Sequence, residues 1–433
     1  MSSHETSLQE RINYGLGDFA QNGMFTFISS YFIFFCTDIA QTGLQFTGSL
    51  VFLGRILDAF FTLFAGQYLD RIRVPSGKCR WIILRLALPE TLLLVMSFAL
   101  FPLTQSRRKA YLFFTYLLFS VTYAFVGVAY SALLSRISGV EEDRLSLNFF
   151  KNLGAALGGV LVTSASLKIV HAARTPQFGY LLAVSAFALL FLVALVLCVH
   201  GTKERMHQVE KHPFGGFFKL LRHVARCRGW LVLCFVNFAE LFFYSLRTQS
   251  VMYYCKYYLS DETVSVWILS MLQIASVIVT FLMPSLSKRI GNKNCVILGN
   301  FIWCAAMIGN YLAQRNLPLI YFFSAVSSLG WAIATGTIFV MISDTSDLIE
   351  VQLGQRLDGF ITATLVFVMK IGSAFASLIL TVNMKSSALF ADSIANYAVN
   401  RAILLNYIWI PLIASAAVIV CIQLYPPRKA KRT

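Results

Sequence analysis

Arg55, Asp58, Arg85, Glu90, Glu240, Arg247 and Lys370 all stand inside long apolar runs of the sequence. A charge at the middle of a membrane-spanning helix costs roughly 2.5–3.5 kcal/mol on insertion scales, so each needs a partner, a wet cavity or a route to the interface. Arg55, Asp58 and Thr62 are spaced i, i+3 and i+7, which sets them on one helical face with Asp58 near the middle. That spacing leaves two readings open: a permanent Arg55–Asp58 ion pair, or a carboxylate that binds and exchanges a coupling cation. Glu240 and Arg247 are seven residues apart and share a face; Arg247 stands high enough to reach the far interface, and Glu240 is expected either at a cavity or in a structural pair. Glu90 follows Pro89 and reads as a second proton acceptor or as the partner of Arg85, which lies one turn inside the edge and is placed to snorkel.

These residues carry chemistry only if the runs around them cross a bilayer. The chain is 57% apolar and 13% charged, with a mean hydropathy of +0.68. An ordinary globular chain carries about a quarter charged residues, so most of this surface must face lipid, which excludes a soluble enzyme. Windows of about 20 apolar residues give twelve spans, at 15–37, 45–68, 81–103, 110–134, 149–170, 178–200, 229–254, 263–286, 294–313, 317–342, 358–383 and 402–425. The first follows a polar start with His4, Glu5, Glu10 and Arg11 and no small-residue cleavage site, so it reads as a span and not a removable signal. The expected fold class is an all-α polytopic membrane protein with twelve transmembrane helices.

The net charge of +16 would point to nucleic acid in a soluble protein. In a membrane protein, basic residues collect in cytoplasmic loops instead. With the N-terminus in the cytoplasm, 23 Lys and Arg fall inside and nine outside, which supports both termini being cytoplasmic; Arg107, Arg108 and Lys109 are the local exception. Nine cysteines, an odd number without a CxxC pair, give no disulfide framework and no zinc site. His200, His207, His212 and His223 read as solvated loop residues, and no metal site is expected. The basic connection 201–228 divides the chain into an N-terminal bundle, 1–200, and a C-terminal bundle with a basic tail, 229–433. A weak repeat agrees: Lys151-Asn152-Leu153-Gly154-Ala155-Ala156 and Lys370-Ile371-Gly372-Ser373-Ala374-Phe375 lie six spans apart.

Tyr14-Gly15-Leu16-Gly17-Asp18-Phe19, then Phe34-Phe35-Cys36-Thr37-Asp38, Gly54-Arg55-Ile56-Leu57-Asp58-Ala59 and Gly77-Lys78-Cys79-Arg80-Trp81 follow one another along the first half. The second half adds Ser343-Asp344-Thr345-Ser346-Asp347, Glu350, Gly354, Arg356, Gly359 and the block at Lys370. In this order the motifs resemble the glycoside-pentoside-hexuronide:cation symporter family. The resemblance implies a major facilitator fold, two six-helix bundles around a central cavity that opens alternately to each side, and a carrier coupling a sugar to a cation without a cofactor.

By the same resemblance Asp58, Thr62 and Lys370 form the cation-coupling region, with Lys370 pairing with Asp58 across the halves. Family members carry further carboxylates where this chain has Thr62 and Gly127; with one carboxylate left, H+ is favoured over Na+, and uncoupled facilitation stays open. Family sugar contacts fall on Asn22, on Ser131 beside Tyr130, near Phe150 and Lys151, and on Thr335, so galactoside recognition does not carry over. Sugar hydroxyls need paired donors and acceptors and an aromatic face, which Asn22, Tyr130, Asn148, Trp331 and Thr335 can supply. Cationic Arg55, Arg247 and Lys370, against three acids at most, leave room for an anionic sugar such as a hexuronide; Lys151 and Glu240 are counted among the candidate substrate contacts. Asp70, Arg71, Asp143, Arg144, Asp344, Asp347, Glu350 and Arg356 match salt-bridge latches at the cytoplasmic helix ends, or are solvated loop charges.

The leading expectation is therefore a monomeric secondary carrier of a sugar or glycoside in a bacterial cytoplasmic membrane, its partners being the small-molecule substrate and the lipid bilayer. A lysophospholipid or other amphiphile carrier of the same fold is the runner-up. No nucleophile elbow, phosphate loop or haem-binding histidine pair stands at membrane depth, which disfavours an enzyme or a pump.

Overall fold

A backbone inside hydrocarbon must satisfy its own N–H and C=O groups, and this chain does so as helix. A computed structural model describes residues 6–72, 77–138, 140–205, 221, 222, 224–353, 358–386 and 397–426. Helix α1 runs Leu8–Phe27, capped by Ser7 Oγ accepting from the Glu10 amide, and continues through π-helical turns at Ile28–Phe32 and Phe35–Ile39. Then come α2 (Leu44–Arg71), α3 (Lys78–Met96), α4 (Gln105–Ile137), α5 (Glu141–Ala172) and α6 (Pro176–Gly201). The second half holds α7 (Arg228–Tyr253, with a π turn at Tyr254–Tyr258), α8 (Val264–Ile290), α9 (Asn292–Leu312) and α10 (Leu317–Leu353). It closes with α11 (Asp358–Ser386) and α12, which is Tyr397–Leu404, a π turn Leu405–Trp409, and Ile410–Ile422.

Each expected span falls on one of these helices, and no strand occurs among the described residues. Ten of the twelve helices are long and apolar enough to cross a membrane. The other two are α1 and α3, whose sequences are diluted by Glu10, Arg11, Asp18, Gln21 and Asn22, and by Lys78, Arg80, Arg85 and Glu90. Several of these polar groups are buried against neighbours: Glu10, Gln21 and Glu90 are all at most 5% exposed. Hydropathy thus underrates helices whose polar faces look into protein.

The helices sort into two bundles of six. In the first, α1 packs on α5 and α6, α4 on α2 and α3, and α3 on α6; in the second, α7 packs on α11 and α12, and α10 on α8 and α9. Glycines allow a tight crossing in each bundle. A Cβ at Gly154 of α5 would run into the backbone carbonyl of Gly15 on α1, and a Cβ at Gly372 of α11 would run into the carbonyl of Phe238 on α7. The blocks at 151–156 and 370–375 thus each place a glycine in a tight helix crossing, one residue out of register with each other: Gly154 is fourth in its block and Gly372 third. Between the bundles, α2 lies along α11 and α5 along α8, and the Ile28–Phe32 turn of α1 meets α7.

One face carries both ends of the described chain and is called the terminal face below. At the opposite face the bundles are shut. Thr37 and Tyr253 share a hydrogen bond of 2.7 Å, Lys256 Nζ lies 3.1 Å from Asp38 Oδ1, and Tyr257 donates to the same carboxylate. Glu262 joins this group, 3.6 Å from both Lys256 Nζ and His171 Nε2, the latter at the end of α5. A cavity of about 380 Å³ lies beside it, lined by Phe34, His171, Tyr180, Lys256 and Glu262 among others.

Candidate functional site

The site begins where α2 meets α11. Lys370 Nζ donates to Asp58 Oδ1 at 2.8 Å and to Thr62 Oγ1 at 2.7 Å, and the Thr62 hydroxyl donates to the Asp58 carbonyl one turn back at 2.7 Å. The Asp58 side chain is 5% exposed and that of Lys370 is 22% exposed. The described ion partner of Asp58 is therefore the lysine of the other bundle. Arg55 turns instead toward α1, donating to Ser29 Oγ at 2.7 Å with its guanidinium 4.6 Å from the centre of the Phe25 ring. Its Nε has no hydrogen-bond partner among the described residues. Between them is a cavity of about 10 Å³, room for one water, lined by Phe25, Arg55, Asp58, Tyr116, Ser120 and Tyr123 among others.

Phe25 separates this cavity from a second one built by both bundles. Thr26, Ser29, Ser30 and Thr163 line it from the first bundle, and Tyr244, Thr248 and Gln273 from the second. Tyr244 stacks on Trp331 with ring centres 3.9 Å apart and planes 13° from parallel, so the expected Trp331 platform reaches the cavity through a tyrosine laid over it. Asn22 sits on the same side: its Nδ2 donates to the Ala155 carbonyl at 2.6 Å and lies 3.5 Å from Gln273 Oε1. Sequence reasoning that followed charges passed over Ser29, Thr163, Tyr244, Thr248 and Gln273. The available signal was Thr26, Ser29 and Ser30, polar at i, i+3 and i+4 within an otherwise apolar stretch of α1.

Other expected contacts lie elsewhere. Tyr130 is 2% exposed within its own bundle, stacked on Tyr14 and donating to the Tyr14 carbonyl at 2.9 Å, so its hydroxyl is spent on packing. Lys151 Nζ hangs 6.0 Å from the centre of that ring. Asn148 is exposed, and Thr335 donates to the Trp331 carbonyl of its own helix. Arg247, expected to reach the interface, is 1% exposed in the core of the second bundle. It donates to Ser327 Oγ at 2.6 Å, Ser324 Oγ at 3.4 Å and Tyr407 at 3.3 Å, and lies 4.9 Å from the Trp303 ring centre. Hydroxyls of Ser324, Ser327 and Tyr407 bond its two Nη atoms while Nε finds no partner among the described residues, and these bonds hold the guanidinium inside the bundle.

Glu240 is also inside that bundle, receiving a 2.7 Å bond from Asn300 Nδ2, whose Oδ1 accepts from Ser415. Glu90 has the matching arrangement in the first bundle: Gln21 Nε2 donates to both its oxygens, at 2.9 and 3.1 Å. Arg85, offered as its partner, stacks 4.3 Å from the Trp81 ring centre. Each bundle thus buries one carboxyl group against one carboxamide.

At the terminal face, Asp143 bonds Arg11 Nη2 at 2.9 Å and Arg144 donates to the Ser138 carbonyl at 2.8 Å, both within the first bundle. Asp70 and Arg71 end α2 and Asp344, Asp347 and Glu350 lie on α10, but their side chains, and all of Arg356, lie outside the described residues.

Two six-helix bundles, shut together at one face and joined at mid-depth by a lysine–carboxylate pair, define a carrier of the major facilitator type. The chain belongs to the MFS/sugar transport protein family, whose model matches residues 13–428. It is 25% identical to the isoprimeverose transporter of Lactiplantibacillus pentosus over 96% of this chain and 88% of that one. It is 26% identical to a putative sulfoquinovose importer of Escherichia coli, over 88% of this chain and 83% of that one. Among solved structures, nucleoside transporter NupG superposes with a TM-score of 0.67 at 11% identity, covering 95% of this chain and 98% of that one, a likeness of fold alone. The protein is a membrane carrier of the sugar-transport type.

Proposed function

We propose that this carrier moves an anionic sugar, a sulfosugar or hexuronide, by alternating access coupled to a proton. The observation that carries the reading is the Lys370–Asp58 pair, which spans the bundle interface and borders the Arg55 cavity. A carboxylate that exchanges a lysine for a proton changes what holds α2 to α11, which links ion binding to the movement of the halves. Thr62 stands where relatives of this type carry a second carboxylate, and one carboxylate with one hydroxyl suits a proton better than a sodium ion, which takes several oxygens. Arg55, with an unpartnered Nε beside the cavity, supplies a cationic donor for a sulfonate or carboxylate; the sulfoquinovose importer among the relatives is in keeping with this.

In this reading 1–200 and 229–433 are the two halves, joined by 201–228. The terminal face is cytoplasmic, the membrane is a bacterial inner membrane, and the closed opposite face makes this the conformation shut to the outside. The working unit is a monomer.

Counterflow in proteoliposomes tests the proposal with labelled glucuronate, sulfoquinovose, methyl glucoside and lysophosphatidylcholine, each with and without an imposed pH or sodium gradient. Uptake of the anionic sugars driven by the pH gradient supports it. Uptake of lysophosphatidylcholine alone replaces it with an amphiphile carrier, sodium-driven uptake reassigns the ion, and indifference to both gradients makes the protein a facilitator.

A further inference from the structure

Gln273 on α8 is the one side chain of the second bundle described as hydrogen-bonded to both Asn22 and Thr26 of α1. Its Oε1 is 3.5 Å from Asn22 Nδ2 and its Nε2 is 3.4 Å from Thr26 Oγ1. Its amide lies against Gly159 of α5, where a Cβ would run into the amide carbon and oxygen. One turn earlier on α8, Ser270 shares a 2.9 Å bond with Thr163, one turn beyond Gly159 on α5. The α5–α8 seam therefore holds one polar rung, Thr163–Ser270, and one turn along it Gln273 passes over Gly159 to reach α1 and the cavity lined by Thr26, Ser29, Tyr244 and Thr248.

Both Gln273 bonds are at the long end of the hydrogen-bond range, so little is lost if a ligand hydroxyl replaces either partner. A carboxamide offers one acceptor and two donors on a planar frame, the complement of a sugar diol, which both donates and accepts. Arg55 stands across Phe25 from this amide, and the two cavities share that ring.

We propose that Gln273 is a substrate-displaced clasp: in the empty carrier its amide occupies the sugar's place and bonds α1, and in the loaded carrier it turns to read the sugar hydroxyls. This rests on the sugar-carrier reading above and deepens it. It assigns the anionic group to Arg55 and hydroxyl selectivity to Gln273, and it gives the substrate a direct hand in loosening the second bundle from α1. Gly159 is the positioning residue that leaves room for the amide.

The full-length protein in proteoliposomes gives two independent readouts. In the first, exchange of glucuronate, sulfoquinovose run beside it, is competed with the 2-, 3- and 4-deoxy analogues of glucuronate. Gln273→Leu should weaken glucuronate about 10- to 100-fold, while one deoxy analogue binds wild type and variant equally, because it lacks the hydroxyl the amide reads. Gly159→Ala keeps the amide but displaces it, and should give the same pattern.

In the second readout, maleimide labelling of Cys36, buried near the closed face, is followed by peptide mass spectrometry with no sugar present. Gln273→Leu should speed it about two- to tenfold, as expected for removing weak bonds that favour the closed state. Equal losses on every analogue together with unchanged Cys36 labelling would make Gln273 a packing residue and overturn the proposal. If the wild type exchanges neither sugar but the variant labels faster, the clasp stands and the substrate assignment falls.

Discussion

Lys370 and Asp58, 312 residues apart in sequence and 2.8 Å apart in space, join the middle of α11 to the middle of α2. Asp58→Asn should abolish uphill accumulation and leave exchange intact, because the halves can still move while the ionisable group is gone. Accumulation and exchange assayed on the same vesicles check this, and full accumulation by the variant would remove Asp58 from coupling.

The same pair makes a prediction about stability. Lys370→Met leaves a nearly buried carboxylate without its lysine, and Asp58→Asn leaves an ammonium without its counter-charge. Each single variant should melt below wild type, and the double variant should melt above both singles, since removing a pair together costs less than orphaning one member. Melting of the four proteins in one detergent gives the comparison.

Arg247→Met should lower the melting temperature by several degrees and the yield of folded protein, because the Ser324, Ser327 and Tyr407 hydroxyls lose their donor, a loss on the order of 1–3 kcal/mol. Apparent KM of the folded fraction should stay at the wild-type value. A large rise in KM without loss of stability would return Arg247 to the substrate cavity.

Gly154→Leu and Gly372→Leu should be poorly folded. The obstacle in each case is a backbone carbonyl, of Gly15 or Phe238, which has no rotamer to retreat into. The overpacking cost is about 1–3 kcal/mol or more. Size-exclusion profiles of fluorescent fusions would show it.

Lys256→Gln breaks the contacts to Asp38 and Glu262 that close the opposite face. The Lys256 and Glu262 side chains are each about a third exposed, 33% and 30%, so that pair is worth under about 1 kcal/mol. The Asp38 side chain is 4% exposed, so losing its cation costs more, with Tyr257 left as its donor. Labelling of Cys36 and Cys255 should rise about fivefold or more. Unchanged labelling of both would mean that Thr37, Tyr253 and the aromatic contacts close this face unaided.

The helices and their number were legible because a bilayer imposes a length and a hydropathy on every span. Asp58, Thr62 and Lys370 were legible as a group through the resemblance of the motifs around them. The partners of Glu90, Glu240 and Arg247 were not. A carboxyl bonded by Gln21 or Asn300, or a guanidinium bonded by Ser324 and Ser327, is met by neutral residues from another helix, and neutral polar residues leave no mark on a charge search. The place of Tyr130 was hidden for a related reason: the spacing that faces a cavity is the same that faces Tyr14 inside the bundle. Gln273 escaped because one amide in an apolar helix is unremarkable until Gly159, more than a hundred residues earlier, is seen to be its floor.

The closed face has one further property. The residues that seal it, Asp38 on α1 and Lys256 with Tyr257 on α7, sit in π-helical turns at corresponding ends of the first helix of each half. A π turn holds one residue more than an α turn and is a common place for a helix to bend. Such a surplus residue can be handed along the helix, shifting every side chain beyond it by about 100° without breaking more than a turn of hydrogen bonds. Both sides of the seal are thus built on a slack stitch, and unsealing is available as a one-residue slippage of two helix tips in place of a swing of two rigid rods.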